Sequence, residues 1–429
     1  MVIKVNDPLS LYALVDYQDS YVEPLILAAL KSRLPPDLCN LTFVQALLDV
    51  RRDAQLLQWR QYEALDFDLV LASPSHLVNS YVIRKALIRK HYLSTTVSNW
   101  LVKHPDSALK AHVKPSVEFE IDYAEFLDDA LVEAYELRES FARNEAMEVE
   151  LRDWWILKPG MSDRGQGVRL FSSEHDLSAI FEGWEEENPD CEDEPELSSN
   201  DGAVPDQEGV PSDNGVITSQ LRHFVAQPYI HPPLLFPQEA YCDRKFHIRT
   251  YVLAVGALRV YTYKSMLALF AGTAYSAPGT DPEPDLRAHL TNTCLQSGER
   301  EGSVHAFWSL PSSAPGLDEH WKHNVFRQIC DVVGATFEAA ARGMSIHFQP
   351  LPNAFEIFGL DFLVDAQGTA WLLEVNAFPD FKQTGDELSG IIQGLFEGVV
   401  DKAVKPQIGL DSGDSEGMVE VLSIDLGRR

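Results

Sequence analysis

Asp361-Phe362-Leu363-Val364-Asp365-Ala366-Gln367-Gly368-Thr369-Ala370-Trp371-Leu372-Leu373-Glu374-Val375-Asn376 reads as a β-hairpin, two largely apolar runs around a Gln-Gly turn. With Gln367-Gly368 as a two-residue loop, Ala366 pairs with Thr369, and counting back sets Asp361 directly opposite Glu374. Like charges on opposed residues repel, so either water screens these carboxylates or a cation lies between them. Alternation puts Asn376 on the face of Glu374, with Phe362, Val364, Trp371, Leu373 and Val375 on the other. Two carboxylates and an amide carbonyl are hard oxygen donors that suit Mg²⁺, which keeps water and substrate phosphates in its shell. A hairpin whose acidic residues simply face water is the plainer alternative.

A second strand, Lys245-Phe246-His247-Ile248-Arg249-Thr250-Tyr251-Val252-Leu253, alternates so that Lys245, His247 and Arg249 share one face, with Phe246, Ile248 and Val252 behind. Stacked cations repel unless an anion lies among them, and phosphate oxygens are common partners of Lys and Arg. The alternative is an exposed strand whose basic residues face water. A triphosphate and a divalent ion lying between this strand and the hairpin would neutralise both. Upstream, Trp154-Trp155-Ile156-Leu157-Lys158-Pro159 reads as a buried strand delivering Lys158 to a glycine-bearing loop, Gly160 to Gly167, before Val168-Arg169-Leu170-Phe171 resumes a strand. The GxxxxGK[ST] spacing of a Walker loop is absent, and Gly165-Gln166-Gly167 alone would be a turn.

Taken in order, Trp155-Ile156-Leu157-Lys158-Pro159, Arg164-Gly165-Gln166-Gly167, Val225-Ala226-Gln227-Pro228-Tyr229-Ile230, Lys245-Phe246-His247-Ile248-Arg249, His289-Leu290-Thr291-Asn292, Phe358-Gly359-Leu360-Asp361 and Leu373-Glu374-Val375-Asn376 resemble the tubulin–tyrosine ligase-like family of the ATP-grasp fold. Leu77-Val78-Asn79-Ser80-Tyr81 and the basic stretch from Arg84 to Lys90 look like its N-terminal region. The resemblance implies that Lys158 and Lys245 hold ATP phosphates, that Arg164, Gly165, Gln166 and Gly167 form the nucleotide loop, and that Gln227, Pro228, Tyr229 and Ile230 line the adenine through backbone groups. It implies further that His247 contacts the nucleotide and that Asp361, Glu374 and Asn376 bind Mg²⁺. Arg249 would face the γ-phosphate and the acyl intermediate, with Lys245 and Glu374 as catalytic partners, and Thr291, Asn292 and Lys264 would lie on the phosphate and acceptor side.

The implied chemistry is ligation: a carboxylate attacks the γ-phosphate of ATP, and an amine then displaces phosphate from the acyl phosphate to form an amide. Charge stabilisation and positioning carry such a reaction, consistent with cations outnumbering candidate bases here. The implied substrates are a free amino acid, tyrosine first and glutamate as the variant, and the C-terminal tail of α-tubulin. Two departures keep a partner-binding scaffold without catalysis in play. His247 stands where relatives carry an acidic residue, and Leu269 where tyrosine ligases carry an acceptor-binding arginine, with Lys264 nearby. Pro228 also replaces a more usual residue, though its carbonyl remains an acceptor.

The fold class expected is α/β (α+β), an ATP-grasp fold. A small N-terminal βαβ-type domain (1–110) would use strands at Leu11–Val15 and Phe67–Leu71 around a helix at Val22–Arg33. A helical connector (111–150), a central lid (151–270), a C-terminal lobe with the metal site (271–405) and a polar tail (406–429) follow. Much of the net charge of −30 comes from residues 185–215, which lack Lys and Arg and read as a disordered acidic insertion in the lid. That insertion is a solvated loop or, in a functional version, a mimic of an acidic substrate tail. Against it, Arg84, Lys85, Arg89 and Lys90 form a local basic cluster, either a partner-docking helix or an ordinary helix with basic edges. A pI near 4.7 and the lack of recognition motifs disfavour nucleic acid. No run of 18 apolar residues suggests a membrane span, and scattered cysteines read as reduced thiols of a cytoplasmic protein.

Overall fold

The computed structural model describes residues 9–47, 54–160, 166–187, 223–237, 241–280, 285–291, 303–384, 388–413, 415 and 417–427. The chain divides into two compact units, one of residues 1–113, 232–275 and 287–429, the other of 114–231 and 276–286.

The first unit begins with a parallel sheet, ordered β2-β1-β3-β4, from β1 (Leu9–Asp16), β2 (Cys39–Phe43), β3 (Gln55–Arg60) and β4 (His76–Val78). Helix α1 (Val22–Arg33) follows β1 as expected. Phe67–Leu71 is not a strand but lies in α2 (Phe67–Ala72), because the Asp66 carboxylate accepts the Leu69 N–H at 3.1 Å and caps a helix. The strand beside β1 is instead β3, whose buried Leu56, Leu57 and Trp59 form a run too short to reveal a period. The basic stretch splits into α3 (Lys85–Ile88) and α4 (Lys90–Lys103) rather than forming one helix.

The second unit is an antiparallel sheet, β5-β8-β6-β7, built from β5 (Val117–Glu120), β6 (Trp155–Pro159), β7 (Arg169–Phe171) and β8 (His223–Pro228), with helices α5 (Tyr135–Asn144) and α6 (Glu174–Glu187). Phe119, Trp155, Phe171, Phe181, Trp184 and Phe224 dominate its core. The acidic run begins inside α6, where Glu185 accepts the Ala124 N–H at 2.5 Å. Residues 188–215 of the expected insertion lie outside the described residues.

The remainder of the first unit is one antiparallel sheet. It contains β9 (Phe246–Val255), β10 (Arg259–Tyr263), β11 (Leu267–Phe270), β12 (Val304–Ala306), β13 (Phe355–Val364), β14 (Ala370–Ala377) and β15 (Met418–Ser423), with helices α7 (Trp321–Gly343) and α8 (Ser389–Val399). Strand β9 is its centre: β13 pairs with one edge, while β11 and β10 share the other. Every residue of β9 and β13 is buried, charged ones included. Phe246, Ile248, Phe358, Leu360 and Phe362 join the core of α7. On the opposite face, Leu253, Val255, Phe355 and Ile357 pack with Trp59, Ile392 and Leu395, leaving His247, Arg249 and Asp361 at the other end of the same face. Residues 406–429, expected as a polar tail, include β15, which pairs antiparallel with β10 from Met418 opposite Tyr263 to Ser423 opposite Arg259. Among the described residues no helix is long and apolar enough to cross a membrane.

Candidate active site

Asp361 does pair with Glu374, but by a different route from simple counting. The turn has three residues, not two: the Asp365 N–H donates to Thr369 at 3.1 Å, and Val364 pairs with Ala370. Gly368 takes φ +81°, and a Cβ there would meet Leu317 at 3.1 Å. Asp365 organises this turn through the N–H groups of Gln367 and Thr369 and the indole of Trp371 at 2.7–3.0 Å. A bulge then leaves Leu373 as an extra residue, since Phe362 pairs with Leu372 while Asp361 pairs with Glu374. The two offsets cancel. The bulge also changes the buried face: Leu372 and Val375 enter the core, whereas Trp371 and Leu373 stay half-exposed.

The expected gap between the basic strand and the hairpin does not exist. Strands β9 and β13 are hydrogen-bonded neighbours, with Arg249 in register with Asp361, so any ligand of both would lie over the sheet face. The repulsion between carboxylates is met by protein cations. Arg249 donates to both Asp361 oxygens at 2.5 and 3.0 Å, and Lys90 places Nζ 3.8 Å from Glu374 Oε2. The Asn376 Nδ2 group donates to Asp361 at 3.3 Å and to Glu374 at 3.2 Å. Gly359 makes room for the arginine, since a Cβ there would stand 3.2 Å from Arg249 Cδ and 2.9 Å from Pro379.

Burial raises the Asp361 carboxyl to about 6, opposed by Arg249 and reinforced by Glu374. Burial disfavours the Arg249 charge, but the paired Asp361 outweighs it and holds the guanidinium ionised. His247 is pushed down to about 3, first by burial and then by Arg249, so its imidazole is neutral. Its Nδ1 lies 2.6 Å from the Thr291 hydroxyl, while Nε2, 3.6 Å from Asp361, has no hydrogen-bond partner among the described residues. Lys245 is buried where β9 begins, its carbonyl accepting the Ala271 N–H.

In the second unit, Lys158 Nζ donates to the Gln227 side chain at 3.0 Å, and Gln227 Nε2 donates to the Lys114 carbonyl at 3.2 Å. Gln227 is thus tied to Lys158 and Lys114 through its side chain. Pro228 ends β8 opposite Trp155, and the Tyr229 N–H is taken by the Trp154 carbonyl, so it is no free donor for a base. Ile230 is buried, and Gln166 and Gly167 lead into β7. Arg164, Gly165 and Asn292 lie outside the described residues.

The basic cluster is not one exposed patch. Arg84 is buried against Glu356 at 2.8 Å and over the Tyr62 ring at 3.9 Å, Lys85 is exposed, Arg89 is half-buried, and Lys90 reaches the hairpin. Lys264 stands over the Trp308 ring at 5.7 Å, and Leu269 is buried opposite His247. Sequence reading missed Lys90 as a neighbour of Glu374. Only the position of α4 beside β14 reveals it.

Among the described residues, no three His, Cys, Asp or Glu side chains are arranged to hold a metal as they stand. The donors on this face are two carboxylates joined by one amide, whose orientation is assigned by its neighbours and whose oxygen a rotation would present. Such hard oxygens are of the kind that fit Mg²⁺.

A model of the tubulin-tyrosine ligase family matches residues 75–410. The chain belongs to that family. A Schizosaccharomyces pombe member described as a probable tubulin–tyrosine ligase is 46% identical over 395 residues, covering 91% of each chain. The Saccharomyces cerevisiae member PBY1, described likewise, is 43% identical over 83% of this chain and 46% of its own length. The crystal structure of the C-terminal domain of K. lactis Pby1, an ATP-grasp enzyme interacting with the mRNA decapping enzyme Dcp2, superposes with TM-score 0.70 and 35% identity, covering 97% and 99% of the two chains. The family fold is thus ATP-grasp, with mixed helices and sheets.

Proposed function

We propose that this chain is an ATP- and Mg²⁺-dependent carboxylate–amine ligase whose acceptor is the tail of a protein, with tyrosine and α-tubulin as the first substrate pair to try and glutamate as the second amino acid. The observation that carries this reading is the gathering of Arg249, Asp361, Glu374 and Asn376 on one sheet face, joined by hydrogen bonds and register, in a chain of this family. A divalent ion held by these oxygens would supply charge neutralisation for phosphate oxygens. Arg249, fixed by Asp361 and by the space over Gly359, holds a permanent positive charge at the face. His247, neutral and tied to Thr291, contributes a polar surface without adding charge. Lys158, oriented by Gln227, supplies a further cation for phosphate in its own unit.

A second reading is favoured by one observation: Leu269, buried opposite His247, offers no charge for an acidic acceptor tail. A chain that binds nucleotide and uses the fold to hold a protein would look the same there, and the K. lactis relative is described as interacting with a decapping enzyme. Incubation with ATP, Mg²⁺, detyrosinated tubulin and labelled amino acids one at a time separates the two. Label in tubulin supports the ligase and names its amino acid, whereas ATP binding without transfer to tubulin or to any co-purifying protein favours the scaffold.

A further inference from the structure

Each carboxylate on this face already has a protein cation beside it, and the two cations are held differently. Arg249 is buried, its side chain 9% exposed, and bonds Asp361 twice. Lys90 and Glu374 meet at 3.8 Å with side chains 20% and 27% exposed. Lys90 is the first residue of α4, whose first turn has no acidic side chain and whose N-terminus has no side-chain cap. A lysine there opposes the helix dipole, a local cost that Glu374 offsets from another strand. Placing a divalent ion on these oxygens with both cations still in position would stack like charges in a partly buried site. The half-exposed ammonium on its flexible stem is the one that can withdraw to water. Phosphate oxygens arriving with the ion would cancel the remaining excess.

We infer that Lys90 is a positioning residue that occupies Glu374 in the metal-free protein and releases it when a divalent ion enters together with a polyphosphate nucleotide, so that the bare ion is held off. This inference rests on the metal reading of Asp361, Glu374 and Asn376. Lys90 thereby couples the metal to the nucleotide through charge alone, and each should raise the affinity of the other.

The test is a titration of the full chain with Mn²⁺, free ion measured by electron paramagnetic resonance, with and without a non-hydrolysable ATP analogue. The wild type should bind Mn²⁺ weakly alone and more tightly with the analogue. Lys90→Met should bind Mn²⁺ alone about fivefold more tightly and gain less from the analogue, the size expected for a half-exposed ion pair. Lys90→Arg, which keeps the charge, should behave as wild type, and Glu374→Gln should bind poorly in both conditions. Thermal melts would verify that each variant is folded. If Lys90→Met leaves nucleotide-free Mn²⁺ affinity unchanged or weaker while wild type still binds with the analogue, the role of Lys90 is overturned and the metal site stands. If wild type binds no Mn²⁺ even with the analogue, the metal reading fails and the role of Lys90 fails with it.

Discussion

Glu356 and Asp361 lie on one strand, are 1% and 3% exposed, and each meets a guanidinium, Arg84 at 2.8 Å and Arg249 at 2.5 Å. Burial raises both carboxyls, Glu356 to about 7 and Asp361 to about 6. Their surroundings differ. Glu356 accepts the Tyr81 N–H at 3.0 Å, and Arg84 is covered by the rings of Tyr62 and Phe378, so the pair ties the start of α3 to the sheet. Asp361 has around it a bridging amide, an imidazole nitrogen without a hydrogen-bond partner among the described residues, and a second carboxylate that a half-exposed lysine approaches in turn. A buried ion pair alone is weak evidence of either stability or function. What sets the Asp361 pair apart is the surplus of polar groups beyond what one pair requires.

The comparison can be broken most decisively at Glu374. Glu374→Gln should lower ligation by on the order of a thousandfold, read as labelled amino acid transferred per folded molecule, with little change in melting temperature. At the structural pair, Glu356→Ala strands the buried Arg84 and the Tyr81 amide and should cost about 3 kcal/mol in urea unfolding, while leaving nucleotide binding per folded molecule intact. Gly359→Ala pushes into Pro379 and Arg249 and should cost about 2 kcal/mol. Unlike Glu356→Ala, it should also weaken nucleotide binding, because the arginine must move.

The smallest effect concerns pH. Because the folded Glu356 carboxyl titrates near 7, above its ordinary value, the folded chain keeps a proton that the unfolded chain has already lost. The stability this group contributes is fully present below the unfolded value and falls as pH rises through about 7. Glu356→Gln should remove that drift, so wild type should lose stability relative to the variant between about pH 5 and 7. A constant difference across that window would mean Glu356 stays ionised throughout.

Much of the site was readable from alternation. His247 and Arg249 share a face, and Asp361 meets Glu374, because strand periodicity is short-range, while Lys245 lies just before β9 begins. The register came out right although the loop was one residue longer and the bulge added another, two departures that no pattern of apolar residues announces. The cleft was misread for a related reason: periodicity gives faces, not which strands become neighbours. Arg84 and Lys90 looked alike in a basic run, yet one is buried under aromatic rings and the other reaches a carboxylate on β14, a distinction made by long-range packing. Asp66 was the overlooked local signal that turned Phe67–Leu71 into a helix.

Strand β15 covers the outer edge of β10. A chain shortened before Met418 would leave the Arg259–Tyr263 backbone with open donors and acceptors, an invitation for copies to associate edge to edge. The last few pairings of the described chain thus guard one edge of the sheet that carries the candidate site.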